Sequence, residues 1–250
     1  MNIKKLFTCL LLAIIAHSVA ARDIHLVFIG NSITYGAWLT DRNHDAPPAE
    51  AARYVAQATG RRVDFRNCGV SGLTTLNFVP ASGAFFQSVV NAADTLMENK
   101  GELLFSISLG TNDSASSGTW GAPVAKEQYY TNLRAIIEGL FEHFPKCKVV
   151  VQSPIWYSAN TYNGAMYLKA GQERLQSYRP MILQLVKDYE RLRPGRVFLG
   201  DTEAYNHFKD KPELFVPEQG NAGTFYLHPT KEGARILGDF WGKAIVKIWK

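Results

Sequence analysis

With 250 residues and a formal net charge of +5, the chain is long enough for one α/β domain and only mildly basic. Its densest cationic stretches, Arg61-Arg62 and residues 191–196, read as helix ends where cations complement the helix dipole, so no nucleic-acid partner is indicated. The histidines are scattered and the few cysteines form no zinc motif, which leaves no metal or cofactor to be expected.

The N-terminus carries Lys4 and Lys5, then an apolar run over residues 6–16, then Ser18-Val19-Ala20-Ala21. A positive start, a short apolar stretch and small residues at the cleavage spacing describe a secretory signal peptide over residues 1–21. The run falls short of the ~20 residues a membrane span requires, so no membrane anchor is expected. Cys9 stands too early in it, without flanking small residues, to mark a lipoprotein. Cleavage after Ala20 or Ala21 leaves residues 22–250 as a single domain in a secreted or periplasmic protein.

Five apolar runs then recur at 24–29, 63–67, 103–109, 148–152 and 196–199. None alternates cleanly between apolar and polar residues, which fits strands covered on both faces. Helical patterns separate them. Residues 47–58 begin with prolines and stop at Gly60, the usual asymmetry of helix ends. Residues 127–144 space Leu133, Ile136, Ile137, Leu140 and Phe141 on one face ahead of Pro145. Residues 165–192 form a long pattern expected to break near Pro180, and 230–249 close the chain. Strands alternating with helices imply an α/β fold, a parallel sheet with helices on both faces. Cys68 and Cys147 then fall at opposite ends of non-adjacent strands, beyond the ~7 Å reach of a disulfide, and read as buried free thiols.

Ligands on such sheets bind at the carboxyl ends of the strands, and four chemically loaded segments lie there. They are Gly30-Asn31-Ser32-Ile33, Asn67-Cys68-Gly69-Val70-Ser71-Gly72, Gly110-Thr111-Asn112-Asp113 and Ser153-Pro154-Ile155-Trp156-Tyr157, with His228-Pro229 standing before the last helix. The first run breaks at Gly30 into a tight turn that lifts Ser32 from the sheet edge. A serine hydroxyl is a weak nucleophile until an imidazole takes its proton, so Ser32 calls for His228. Preorganised donors at the developing oxyanion are worth ~2.7 to 4 kcal/mol each. Asn112 supplies a neutral N–H for that task.

In block order and over nearly the whole mature chain, the sequence resembles the SGNH hydrolases, the GDSL-type esterase superfamily. The resemblance implies a three-layer, flavodoxin-like fold on a five-stranded parallel sheet. It also implies Ser32 as nucleophile, with Ser32 N–H, Gly72 N–H and the Asn112 side chain as the oxyanion hole. Two positions depart from the family pattern. Asn31 replaces an aspartate and is expected to shape the turn. Phe225 stands three residues before His228, where the family places the acid, and a phenyl ring cannot orient an imidazole. Either Glu218, in a loop over residues 217–221, or a backbone carbonyl takes over; a Ser–His dyad is the expectation.

Trp38, Trp120, Trp156, Tyr157 and Tyr162 fall on the catalytic edge near Asn160 and Asn163, a combination suited to a sugar ring. The substrate expected is a short acyl ester, acetyl on a carbohydrate. A lysophospholipase or thioesterase on the same scaffold, or a non-catalytic glycan-binding module, are the alternatives.

Overall fold

Strands apolar at successive positions need cover on both faces, and here they assemble into one parallel sheet. The structure, a computed structural model, describes residues 22–249. The expected signal peptide lies outside the described residues.

Strand β1 (Asp23–Gly30) leads through α1 (Ser32–Tyr35), α2 (Arg42–Asp45) and α3 (Pro47–Thr59) to β2 (Val63–Gly69). Helices α4 (Thr75–Phe78) and α5 (Ala84–Met97) precede β3 (Gly101–Ser108), and α6 (Lys126–His143) precedes β4 (Lys148–Val151). The long α7 (Leu168–Leu192) leads to β5 (Val197–Leu199) and α8 (Ala204–Lys209). An antiparallel hairpin, β6 (Phe215–Gly220) and β7 (Gly223–Pro229), delivers the chain to α9 (Lys231–Val246).

The sheet order is β2-β1-β3-β4-β5, all parallel, the flavodoxin-like arrangement whose switch point lies between β1 and β3. Side chains alternate across it. Ile24, Leu26 and Phe28 pack with Val55 of α3 and Leu237 and Trp241 of α9. Val27, Ile29, Phe105 and Ile107 pack on the other face with Val89 of α5, Leu133 of α6 and Ile182 of α7. Trp241 stacks on Phe28 with ring centroids 6.1 Å apart. Each fully buried side chain of this size contributes roughly 1.5–3 kcal/mol. Cys68 and Cys147 are free, separated by β1 and β3. Burial pushes their thiols up to about 11 and about 12, so both stay protonated.

Three features differ from the sequence pattern. Helix α7 does not break at Pro180 but continues through it. The proline removes one N–H bond, yet Leu175, Tyr178, Ile182, Leu185 and Tyr189 bury a face on both sides of it and hold the helix together. Helix α5 occupies a stretch without an assigned element; Phe86, Val89, Val90, Ala93 and Leu96 give it a buried face. The segment containing Glu218 is a strand rather than a loop, despite Pro217. The proline is accommodated because β6 pairs on one side only, with a register shift between Phe215 and Pro217.

The ends of the central strands are held level. Gly30 stands opposite Gly69 on one side and Ser108 on the other. Gly69 also lies against α1: a Cβ there would sit 2.8 Å from Thr34 C and 2.9 Å from Tyr35 Cα, both backbone atoms that cannot rotate away. Gly69→Ala is therefore expected to destabilise the fold by about 1–3 kcal/mol in urea denaturation. Gly164→Ala, where a Cβ meets nothing within 4 Å, is expected to stay within ~0.5 kcal/mol of wild type.

Candidate active site

Strand β1 ends at Gly30 and hands the chain to Asn31, whose extended backbone caps α1 while its side chain accepts from Ile33 N–H at 3.0 Å. Asn31 thus shapes the turn in the place of the family's aspartate, and leaves the Ser32 hydroxyl free of capping. Ser32 Oγ lies 2.9 Å from His228 Nε2.

His228 is the penultimate residue of β7, and Thr230 caps the following helix by accepting from Gly233 N–H. On its other side, His228 Nδ1 lies 2.8 Å from Glu218 Oε1, which also accepts from the His228 backbone N–H at 3.3 Å. A carboxylate only accepts, so this contact puts the imidazole proton on Nδ1 and leaves Nε2 to accept from Ser32. The structure therefore differs from the dyad expectation: a carboxylate, not a backbone carbonyl, holds the imidazole. Phe225, at the family's acid position, is buried in the core beside Leu227. Across the hairpin its pairing partner is Glu218, so the strand pairing brings a carboxylate back beside the histidine from ten residues upstream. The second carboxylate oxygen, Oε2, accepts from Trp38 Nε1 at 3.0 Å.

The three expected oxyanion donors line the same cleft as Ser32 and His228, a space of about 780 Å³. Asn112 is held at both ends of its amide: Nδ2 donates to Leu73 O at 2.9 Å, and Oδ1 accepts from the Tyr167 hydroxyl at 2.7 Å. One amide hydrogen is left to donate. Burial first, then the nearby Tyr157, Glu218 and Asp113, raises the Tyr167 pKa, so its hydroxyl remains a donor. Gly72 adopts φ 81°, a left-handed conformation that glycine takes without strain, and its carbonyl accepts from Trp120 N–H. Among the described residues neither Ser32 N–H nor Gly72 N–H donates to another protein group.

The edge aromatics divide. Trp38 lines the cleft and is 67% exposed. Trp120 is also exposed, close to where a Gly72 Cβ would stand. Tyr157 is buried, bonded to Ser114 and edge-on to Tyr167, and Trp156 packs against Phe215. Those two support loops. Tyr162 contributes its carbonyl to Asn221 N–H, docking the hairpin tip. The Asn160 amide is likewise engaged, on the carbonyls of Ala222 and Thr224, whereas Asn163 lines the cleft. A larger space of about 950 Å³, bordered by Arg22, Gly101, Cys147 and Arg196, lies at the opposite edge of the sheet, away from Ser32. Among the described residues no group of three or more His, Cys, Asp or Glu could hold a metal ion, and no helix is long and apolar enough to cross a membrane.

A hydroxyl, an imidazole and a carboxylate in sequence, at the carboxyl edge of a parallel sheet, is the arrangement that activates a serine for acyl transfer. The family comparison agrees with this class. The model of the GDSL-like lipase/acylhydrolase family matches residues 28–236, and the chain belongs to that family, as a carboxylic ester hydrolase. No curated protein matches. Solved structures share the fold at low identity. A lipase/acylhydrolase from Enterococcus faecalis is 17% identical, with 89% of this chain and 95% of that one covered and a TM-score of 0.58. The M. smegmatis aryl esterase is 15% identical, covering 90% and 99%, with a TM-score of 0.60. An acetylxylan esterase from Geobacillus stearothermophilus is 16% identical, covering 91% and 94%, with a TM-score of 0.60.

Two contacts at the site had no counterpart in the motif pattern, Tyr167 on Asn112 and Trp38 on Glu218. Both span long sequence separations, and no local spacing announces them. Asp113, next to Asn112, is a third unadvertised feature. It is fully buried, its Oδ1 accepts from Thr75 N–H at 2.9 Å and from the Thr75 hydroxyl, and its Oδ2 has no partner among the described residues. Burial pushes this carboxyl up to about 6, against the opposing pull of the Thr75 hydrogen bonds. Between the ordinary value of 3.8 and about 6 the folded protein holds more protons than the unfolded chain, so this group's contribution to stability falls as pH rises. Wild type is expected to lose stability relative to Asp113→Asn between pH 4.5 and 7. Urea unfolding of both proteins at the two pH values measures this; a pH-independent difference would show an ordinary carboxyl.

Proposed function

We propose that the protein is a secreted serine esterase that removes short acyl groups, acetyl above all, from a carbohydrate. The observation that carries the chemistry is the unbroken hydrogen-bond chain Ser32–His228–Glu218 opening on one cleft.

In this reading His228 Nε2 takes the Ser32 proton as Oγ attacks the ester carbonyl. Glu218 holds the tautomer and stabilises the imidazolium that forms. The carbonyl oxygen becomes an oxyanion facing Ser32 N–H, Gly72 N–H and the remaining Asn112 N–H, donors that need no reorganisation. Collapse expels the alcohol, which takes its proton from His228. Water, activated by the same imidazole, then attacks the acyl-serine and frees the acid and Ser32.

The acyl and alcohol preferences rest on the lining. Small and polar residues, among them Ser71, Gly118, Thr119, Asn163 and Gly164, border the cleft with Trp38. That side offers hydrogen bonds and an aromatic face to a sugar, while Ala37, Ala165, Val216, Pro217 and Leu227 give the cleft an apolar side for a short acyl group. The fold is also that of a protein described as an acetylxylan esterase, so the scaffold is compatible with such a substrate. Export rests on residues 1–21 of the sequence.

A serine-directed fluorophosphonate should label wild type and not Ser32→Ala. Among p-nitrophenyl esters, acetate should be turned over faster than butyrate, and octanoate hardly at all. Labelling that survives in Ser32→Ala would place the nucleophile elsewhere, and a preference for octanoate would favour a lipid ester.

The supporting groups have distinct signatures. Asn112→Ala should lower kcat ~100- to 1,000-fold with little change in KM. Glu218→Gln removes the charge and permits the wrong tautomer, so kcat should fall by well over tenfold and towards ~10⁴-fold. Glu218→Gln activity within twofold of wild type, with circular dichroism unchanged, would return the site to a Ser–His dyad.

A further inference from the structure

Trp38 combines three properties that seldom coincide. Its backbone sits at φ 70°, a region that bulky residues rarely occupy. The residue is 67% exposed, so burial does not hold it there. Yet its one polar atom reaches inward to a carboxylate that is almost fully buried, 180 positions along the chain.

The segment around it is fixed at both ends. Gly36 closes α1, with its N–H and that of Ala37 both on Ser32 O. Leu39 then anchors the chain in a small cluster with Ala46 and Ala234. Between these anchors the left-handed turn at Trp38 places the indole at the cleft wall, near both Ser32 and Glu218.

Glu218 has a particular need for such a contact. It reaches His228 from the neighbouring strand of a two-stranded hairpin, on a side chain with one more rotatable bond than an aspartate. His228 engages Oε1 only. A carboxylate held by one oxygen can still swing about its terminal torsion; Trp38 on Oε2 fixes its plane.

We propose that Trp38 is a positioning residue that orients Glu218 through its indole N–H, while its exposed ring forms the platform for the alcohol portion of the ester. This rests on the reading of Ser32, His228 and Glu218 given above. The two roles belong to one side chain, so its substitutions separate them. Loss of the N–H acts on kcat through Glu218, and loss of the ring acts on KM for alcohols large enough to cover it.

The experiment is a double-mutant cycle with active sites counted by fluorophosphonate titration. Trp38→Phe keeps a ring without the N–H. It should lower kcat for p-nitrophenyl acetate about tenfold per titrated site, with KM within about twofold. In the Glu218→Ala background the same substitution should cost less than twofold, because the group it orients is gone. Trp38→Ala should also raise KM for an acetylated methyl xyloside but not for methyl acetate. An equal kcat loss in both backgrounds, or none in either, would overturn the positioning role. A KM rise of the same size for both acetates would overturn the platform. If wild-type Ser32 took no label, the reading of the site would fail and this proposal with it; intact labelling without coupling would sink this proposal alone.

Discussion

The register of β1 against its two neighbours is the constraint on which the site depends. Because Gly30, Gly69 and Ser108 stand side by side, the three loops that follow start from one line. Each loop then needs only a few residues to bring Ser32, Gly72 and Asn112 to a common cleft. A slip of one residue in either ladder would reverse the facing of every side chain in the strand, exchanging Ile24, Leu26 and Phe28 with Val27 and Ile29 between two differently shaped cores. Core packing therefore enforces the alignment on which the shared cleft depends. The contact of Gly69 with the backbone of Thr34 and Tyr35 locks the helix that opens at Ser32 to the same edge.

Much of this was legible in the sequence because the signals were local. The apolar runs matched the five sheet strands to within one or two residues, since strands buried on both faces carry a continuous pattern. Ser32, Gly72, Asn112 and His228 could be located because each sits in a short block at a strand end or helix entrance. Helix continuity at Pro180 was misread because local chemistry there favours a break and tertiary burial overrides it. Glu218 was legible only as one of two candidate partners for His228, and the choice between them was hidden for a different reason. Glu218 lies across a Gly-Asn-Ala-Gly turn, and Pro217 disguises its strand as a loop. Reading that turn as a hairpin would have folded residue 218 back toward 225, next to the histidine.

Two carboxyl groups near the cleft show how environment separates similar chemistry. Glu218 is buried with both oxygens engaged, by His228 and by Trp38, so its charge is compensated on each side. Asp113 is buried with one oxygen engaged by Thr75 and the other bare. Burial favours the neutral form, the Thr75 hydrogen bonds oppose it only in part, and the carboxyl rises to about 6. For Asp113 depth is the larger influence and its hydrogen bonds the smaller.

The departures at Asn31 and Phe225 are then parts of one arrangement. At position 31 the turn requires a side-chain acceptor for Ile33 N–H, and a neutral amide supplies it as well as a carboxylate would. At position 225 the ring is fully buried with Leu227 and its apolar neighbours, on the wall of the same cleft. The carboxylate stands instead at the paired position on the adjacent strand, in contact with His228 and Trp38. The hairpin pairing, rather than a residue three positions before the histidine, is what sets a carboxylate oxygen 2.8 Å from Nδ1.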